Sequence, residues 1–312
     1  MASAISDKII NFELETLKRI NRRNMAKVYI SSYLKEFDAQ EDNLTKVGIK
    51  YEILRNTKDI WVRDFMPIPL HRKNSDGTPL YAIYRYWPDY LDDEPDCKED
   101  VYTITNQPDA CRNIKIDHKH CVDLGLTFDG GNYVDCSDKA IITDKVFGEN
   151  PNLSHEEVIR RLETTFRQEI IIIPWIPIKD DRFGHSDGFV QYVHGNKVLL
   201  YTPLEWVSDA ERLMHERIEE ILKRHGLKVV HLNVEPDHNV EKDNTWAYIN
   251  FLKLNGKIYV PSANPKYDVD ICNQIAEVYE MPIENVIMVN MDAELLELGG
   301  ALHCCTWTKE ID

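Results

Sequence analysis

The sequence predicts an α/β protein built as a closed ring of five strand–strand–helix–strand units. Three observations carry this. A hairpin pattern recurs at a regular interval, each hairpin is followed by a helical and then a short apolar segment, and the two chain ends together hold a split unit. The clear hairpins are GGNYVDCSDKAIIT from Gly130, DGFVQYVHGNKVLLYT from Asp187 and WAYINFLKLNGKIYVP from Trp246. Alternating strands joined at a Gly- or Asp-containing turn are hairpin signals. Their lysines, Lys139, Lys197 and Lys257, are 58 and 60 residues apart (197 − 139 and 257 − 197), which sets the repeat length.

Each hairpin leads into a segment with apolar residues at helical spacing and Ser or Asp near its start, as helix starts favour. These are SHEEVIRRLETTFR, DAERLMHERIEEILKRHG and YDVDICNQIAEVYE, followed by the buried-type strands EIIIIPWI, LKVVHLNV and ENVIMVNM. A fourth unit opens with a hairpin from Trp61 to Trp87 and continues into an insertion near 88–110 rich in Asp, Glu and Pro. The fifth is expected to be split. Its hairpin, ALHCCTW, would lie at the C-terminus, and its helix (6–22) and last strand (MAKVYISSYL) at the N-terminus. Closing the ring in this way leaves no open sheet edge. The whole chain, 1–312, is expected to form one domain.

Composition narrows the function. At 43% hydrophobic and 29% charged the chain can fill a large core. No apolar run approaches the roughly 18 residues of a membrane span, and the N-terminus lacks the apolar core of a signal peptide. A cytoplasmic, non-membrane protein is expected. Seven cysteines without a disulfide rhythm suit a reducing compartment. Cys111, His118, His120 and Cys121 lack the C-x-x-C spacing of a zinc site, so no metal is expected. A net charge of −16 argues against nucleic acid and is compatible with a small cationic substrate. A homo-oligomer is left open.

The chemistry-bearing residues fall at one recurring point, just before or at the first strand of each unit. They are Asp64 in WVRD, Asp129 in FDGGN, His185 and Asp187 in GHSDG, and Cys304 in GGALHCC. Equivalent points of a ring face a common axis, so three carboxylates, an imidazole and a thiol should meet there. On strands, His185 and Asp187 would share a face, while Cys304 and Cys305 would point to opposite faces. Several carboxylates around one spot call for a cation. A guanidinium fits, being planar, always protonated and rich in paired N–H donors. Cys304 could attack its central carbon, with His185 protonating departing ammonia and water releasing a ureido product. The three carboxylates should keep Cys304 a neutral thiol before substrate arrives, with His185 already engaged by Asp129 and Asp187.

These motifs, in this order from about Trp61 to Trp307, resemble W-x-R-D, [E/D]-G-G-N, G-H-x-D and G-G-G-x-x-H-C-x-T of the guanidine-modifying penteins. Agmatine deiminases and Porphyromonas-type peptidylarginine deiminases are the nearest in kind. The resemblance implies a pseudo-fivefold, five-bladed α/β propeller with no metal or organic cofactor. It implies that Asp64 and Asp187 clasp the guanidinium beside Trp61, that Asp129 orients His185, and that Cys304, after His303, is the nucleophile, with Cys305 a bystander. The implied reaction converts agmatine to N-carbamoylputrescine and ammonia through a covalent cysteine–amidino intermediate, a step of putrescine biosynthesis. Alternatives are deimination of free or peptidyl arginine to citrulline, amidino transfer, or guanidino binding without turnover. Two departures bear on the substrate's tail: Asp129 stands where agmatine enzymes mostly carry Glu, and Trp307 replaces a Gln. Trp87, Trp307 and the acidic stretch Asp89–Asp100 are candidates to hold that tail, and Arg85 would suit a carboxylate.

Overall fold

The described residues form five three-stranded sheets, all of one plan. In every sheet the middle strand pairs antiparallel with one neighbour and parallel with the other. The computed structural model describes residues 25–37, 40–57, 59–88, 114–177, 183–205, 208–235 and 244–310. The helix expected over 6–22, Cys111 and the acidic insertion from Asp89 onward lie outside the described residues.

In chain order, β1 (Ala26–Ser31), α1 (Gln40–Lys46) and β2 (Tyr51–Leu54) come first. The second sheet follows a short helix α2 (Val62–Phe65) and comprises β3 (Ile68–Lys73), β4 (Pro79–Arg85) and β5 (Cys121–Thr127). The third has β6 (Val134–Asp135) and β7 (Lys139–Thr143), then helices α3 (Lys145–Gly148) and α4 (His155–Phe166), then β8 (Glu169–Ile173). The fourth has β9 (Val190–His194), β10 (Lys197–Pro203), α5 (Asp209–Arg224) and β11 (Lys228–Val234). The fifth has β12 (Leu252–Leu254), β13 (Lys257–Ser262), α6 (Asp268–Val278) and β14 (Val286–Asn290). After α7 (Ala293–Glu297), β15 (Trp307–Glu310) returns to pair with β1, Tyr29 facing Trp307. The five-bladed α/β propeller expected from the repeat is the observed fold.

Local chemistry explains the elements. Parallel pairing needs a crossover, and among the described residues a helix supplies it in four of the units. Ser154 caps α4 by accepting the Glu157 N–H, and Ser208 caps α5 by accepting that of Glu211. Val158, Leu162 and Phe166 of α4 form its buried stripe, as do Met214, Ile218 and Leu222 of α5. The middle strands are apolar and buried on both faces, as in KAIIT and KVLLYTP, because a helix covers one side and the next sheet the other. One apolar cluster runs from Trp307 through Tyr81 and Leu124 to Ile142 and Leu162, tying three sheets together. No helix among the described residues is long and apolar enough to cross a membrane.

The split unit divides differently from the sequence expectation. The C-terminus supplies one strand, β15, and the N-terminus the other two, with α1 between them. KVYIS is therefore the middle strand, matching KAIIT, KVLLYT and KIYVPS of the other units. ALHCC is a turn rather than a strand. Its backbone closes on itself, Cys305 N–H donating to Ala301 O and Thr306 N–H to His303 O.

Candidate active site

The opening strand of each sheet is preceded by a tight helical turn, and these five turns form the site. They are α2, the 3-10 turns Gly130–Asn132, Ser186–Gly188 and Thr245–Ile249, and the turn at 302–305. Asp64 lies in the first and Asp129 just ahead of the second. His185 and Asp187 belong to the third, Asn250 ends the fourth, and Cys304 lies in the fifth. Asp64, Asp129, His185, Asp187 and Cys304 are all buried.

The glycine pair of FDGGN is required by close approach and not by a left-handed backbone. A Cβ on Gly131 would lie 2.6 Å from Asp64 Oδ1 and 2.8 Å from His185 Nδ1, and one on Gly130 would run into the Arg63 carbonyl. Gly131 N–H instead donates to Asp64 Oδ1 at 2.9 Å. Asn132 completes the motif, its Oδ1 accepting the N–H of Thr143 at 2.8 Å and of Ser186 at 3.3 Å, which ties two turns together. In GGALHCC, a side chain at Gly300 would collide with the Trp61 indole.

His185 and Asp187 do not share a strand face. They lie at a 3-10 turn and point to different neighbours. His185 sits between two carboxylates, Nε2 3.0 Å from Asp129 Oδ2 and Nδ1 3.5 Å from Asp64 Oδ1. Asp187 engages His303 and not His185: its Oδ2 lies 2.6 Å from His303 Nδ1 and accepts from Asn250 Nδ2 at 3.4 Å. Asn250 Oδ1 accepts the backbone N–H of His303 at 3.0 Å and of Cys304 at 3.2 Å, fixing the thiol-bearing turn. Cys304 O in turn accepts the Arg63 N–H at 3.1 Å.

Electrostatics follow from these contacts. Burial opposes a charge on His185, but Asp64 and Asp129 outweigh it and raise its pKa to about 9. Burial, with Asp129, Asp187 and Asp59 adding to it against the pull of His185, lifts Asp64 to about 7. Asp129 is pushed up by burial yet held well below the usual carboxylate range by Lys145, 2.7 Å away, and by His185. Burial and then the charges of Asp187 and Asp64 push the Cys304 thiol well above its ordinary value. The thiol is therefore neutral at pH 7 in the empty site. Cys305, fully buried, contacts Leu302 O, and burial raises it to about 12.

Trp61 is buried in the same apolar cluster as Leu302 and Cys304, walling the nucleophile turn. Trp307, a candidate for the substrate's tail, is core: its indole N–H donates to Pro67 O at 3.0 Å and its ring packs near Tyr29 and Tyr81. Arg85 lies over the Trp87 ring, 4.5 Å from its centroid.

Sequence reasoning missed Asn250, Lys145 and Glu149. Asn250 had a signal, since it directly precedes the opening strand of the one clear repeat that lacked a site residue. Lys145 and Glu149 had none, because an i, i+4 Lys–Glu pair reads as a solvated helix face.

A thiol, a protonated imidazole and paired carboxylates at one end of a five-bladed α/β propeller define a guanidine-modifying hydrolase of C–N bonds. The family profile of Porphyromonas-type peptidyl-arginine deiminases matches residues 7–309, and the chain belongs to that family. It is 23% identical over 291 residues to an agmatine deiminase of Pseudomonas fluorescens, covering 80% of this chain and 74% of that one. With an agmatine deiminase of Ectopseudomonas mendocina it shares 25% identity over 312 aligned positions, 85% and 77% of the two chains. Among solved structures, the fold matches C. jejuni agmatine deiminase with a TM-score of 0.70 at 18% identity, over 93% of this chain and 95% of that chain. The agmatine deiminase of Enterococcus faecalis gives 0.70 at 18% identity, over 93% and 94%.

Proposed function

We propose that this chain deiminates agmatine to N-carbamoylputrescine and ammonia. The observation that carries the reading is the juxtaposition of the buried Cys304 thiol with Asp64 and Asp187 from two other turns, Asp64 also flanking a protonated His185. The relatives named agmatine deiminase support the choice of amine over amino acid. The family's name favours a second reading, deimination of peptidyl or free arginine to citrulline.

In this reading Asp64 and Asp187 bind the guanidinium N–H groups, beside a wall set by Trp61. The substrate's positive charge offsets the carboxylates, and the Cys304 proton passes to solvent water. The thiolate attacks the guanidinium carbon and a C–S bond forms. His185 gives its proton to the departing nitrogen, the C–N bond breaks, and ammonia leaves an amidino–enzyme. Neutral His185, oriented by Asp129, then takes a proton from water. The hydroxide adds to the amidino carbon, the C–S bond breaks, and the ureido product leaves, its extra proton passing to the Cys304 thiolate and restoring the thiol. Neither metal nor organic cofactor enters these steps. One domain over 1–312, with an acidic insertion near 88–110, and a cytoplasmic location complete the reading; a homo-oligomer is open.

The test is ammonia release from agmatine, arginine and a peptide ending in arginine, with Cys304→Ala as control. Ammonia and N-carbamoylputrescine from agmatine, abolished in Cys304→Ala, is the expected result. Ammonia only from arginine or the peptide would replace it with the citrulline reading, and turnover that requires a second amine would mean amidino transfer. Alkylation of Cys304 by a small neutral reagent is expected to be slow at pH 7 and faster toward pH 9. A rate already high and flat from pH 6 would mean a preformed thiolate.

A further inference from the structure

Behind the Asp129–His185 pair lies a buried triad. Lys145 opens α3 with its side chain only 6% exposed, and its Nζ is 2.7 Å from Asp129 Oδ2 and 2.7 Å from Glu149 Oε1. Glu149 is one turn further on and equally buried, with a side chain 6% exposed. Its contact with the ammonium lies off the line of a hydrogen bond, and neither carboxylate oxygen has a hydrogen-bond partner among the described residues. Burial, and then the charge of Asp129, pushes the Glu149 carboxyl well above its usual range against the pull of Lys145, so Glu149 holds the ammonium as a carboxyl shifted toward its neutral form. Asp129 Oδ2 is the same atom that His185 Nε2 contacts at 3.0 Å, so ammonium and imidazole share one acceptor.

We propose that Lys145, held by Glu149, is a positioning residue that balances the charge on Asp129, so that His185 can act as acid in one half-reaction and as base in the other. The proposal rests on the deiminase reading above. The two half-reactions make opposite demands. His185 must give a proton to departing ammonia and, as neutral imidazole, take one from water. An imidazole between two uncompensated carboxylates would keep its proton through both. The ionisable groups facing His185 are Asp64 from α2, Asp129 from the turn before β6, and Lys145 with Glu149 behind it from the α3 segment. Asp187, on its own turn, is turned to His303, and Cys304 is a neutral thiol beside Asp64 and Asp187. Lys145 is the cation among them that opposes Asp64 and Asp129, loosening the hold of His185 on its proton. Glu149, pushed toward its neutral form, holds the ammonium in place without cancelling its charge. Loss of the cation should therefore move His185 while loss of the Glu149 carboxyl should not, a split that mere structural filling would not give.

The experiment is a histidine NMR titration of the full-length, substrate-free protein, comparing wild type with Lys145→Met, Lys145→Arg and Glu149→Gln. Because no substrate is used, it reports on the triad whichever guanidine is turned over. Lys145→Met is expected to move the His185 titration up by about one pH unit, within the usual range for loss of a near charge. Glu149→Gln, which replaces one neutral group by another, should leave it in place, and Lys145→Arg should restore the wild-type midpoint. Under turnover at pH 7, intact-mass analysis of Lys145→Met should find the amidino–enzyme accumulating, since a midpoint higher by that amount leaves about tenfold less of His185 neutral. An unmoved or lowered midpoint in Lys145→Met, or an equal rise in Glu149→Gln, overturns the proposal. If Lys145→Met does not fold, Lys145→Gln is read by the same criteria. A raised midpoint in Lys145→Met with no ammonia from any guanidine would leave the charge balance standing and remove the deiminase reading.

Discussion

His185 and His303 lie in one site and differ in charge at neutral pH, His185 a cation and His303 a neutral ring. Burial lowers both. His185 is nonetheless raised to about 9 because Asp64 and Asp129 flank both ring nitrogens. His303 is lowered to about 4 by burial and then by the nearby Arg63 cation, which its single close carboxylate, Asp187, does not offset. Two carboxylates against one, and a cation nearby, decide the outcome. The imidazolium is equipped to give a proton; the neutral ring can only donate its Nδ1–H, which holds Asp187 where a guanidinium would meet it. In the proposed reading, like residues in one pocket thus divide the work of proton transfer and positioning.

The largest effect that sharpens this contrast comes from removing each ring. His185→Asn is expected to lower kcat/KM by about two to four decades, the usual worth of general acid–base catalysis. His303→Ala removes a hydrogen bond to a charged group, about 1.5–3 kcal/mol, and so about one to two decades. Steady-state ammonia assays of the two variants decide it, and equal losses would break the comparison. Next comes Gly131→Ala, whose methyl would press on Asp64 Oδ1 and His185 Nδ1. Overpacking of this kind costs about 1–3 kcal/mol, and a urea midpoint should fall together with kcat/KM. Unchanged activity would mean that the Asp64–His185 contact is slack.

The smallest effect is on stability against pH. His185 holds a proton more tightly folded, at about 9, than unfolded, at about 6.5. Its contribution is therefore complete below about pH 6.5 and fades as pH rises through about 9. For His303 the folded value of about 4 is the lower one, so it costs stability only as pH falls from about 6.5 toward 4. Urea unfolding of His185→Gln and His303→Gln at several pH values should give differences from wild type that move oppositely. The deficit of His185→Gln should shrink toward pH 9, and His303→Gln should gain on wild type toward pH 5. Parallel curves would mean that the two rings share one protonation state.

The ring of five units and the types of residue at its centre were legible in the sequence, because a strand's alternation, a helix's apolar stripe and a 60-residue repeat are local patterns that survive without a partner. The lysine opening KVYIS also marked β1 as a middle strand, although ALHCC, apolar and short, looked like the strand that it is not. Tertiary structure alone decided who meets whom. His185 turned to Asp64 and left Asp187 to His303, because a 3-10 turn sends neighbouring side chains apart where a strand would have aligned them. Lys145 and Glu149 became interior groups because their short helix packs behind Asp129. The charge on each histidine is likewise absent from the sequence. It depends on burial and on distances of a few ångströms between residues brought from different units, and no pattern along the chain encodes those distances.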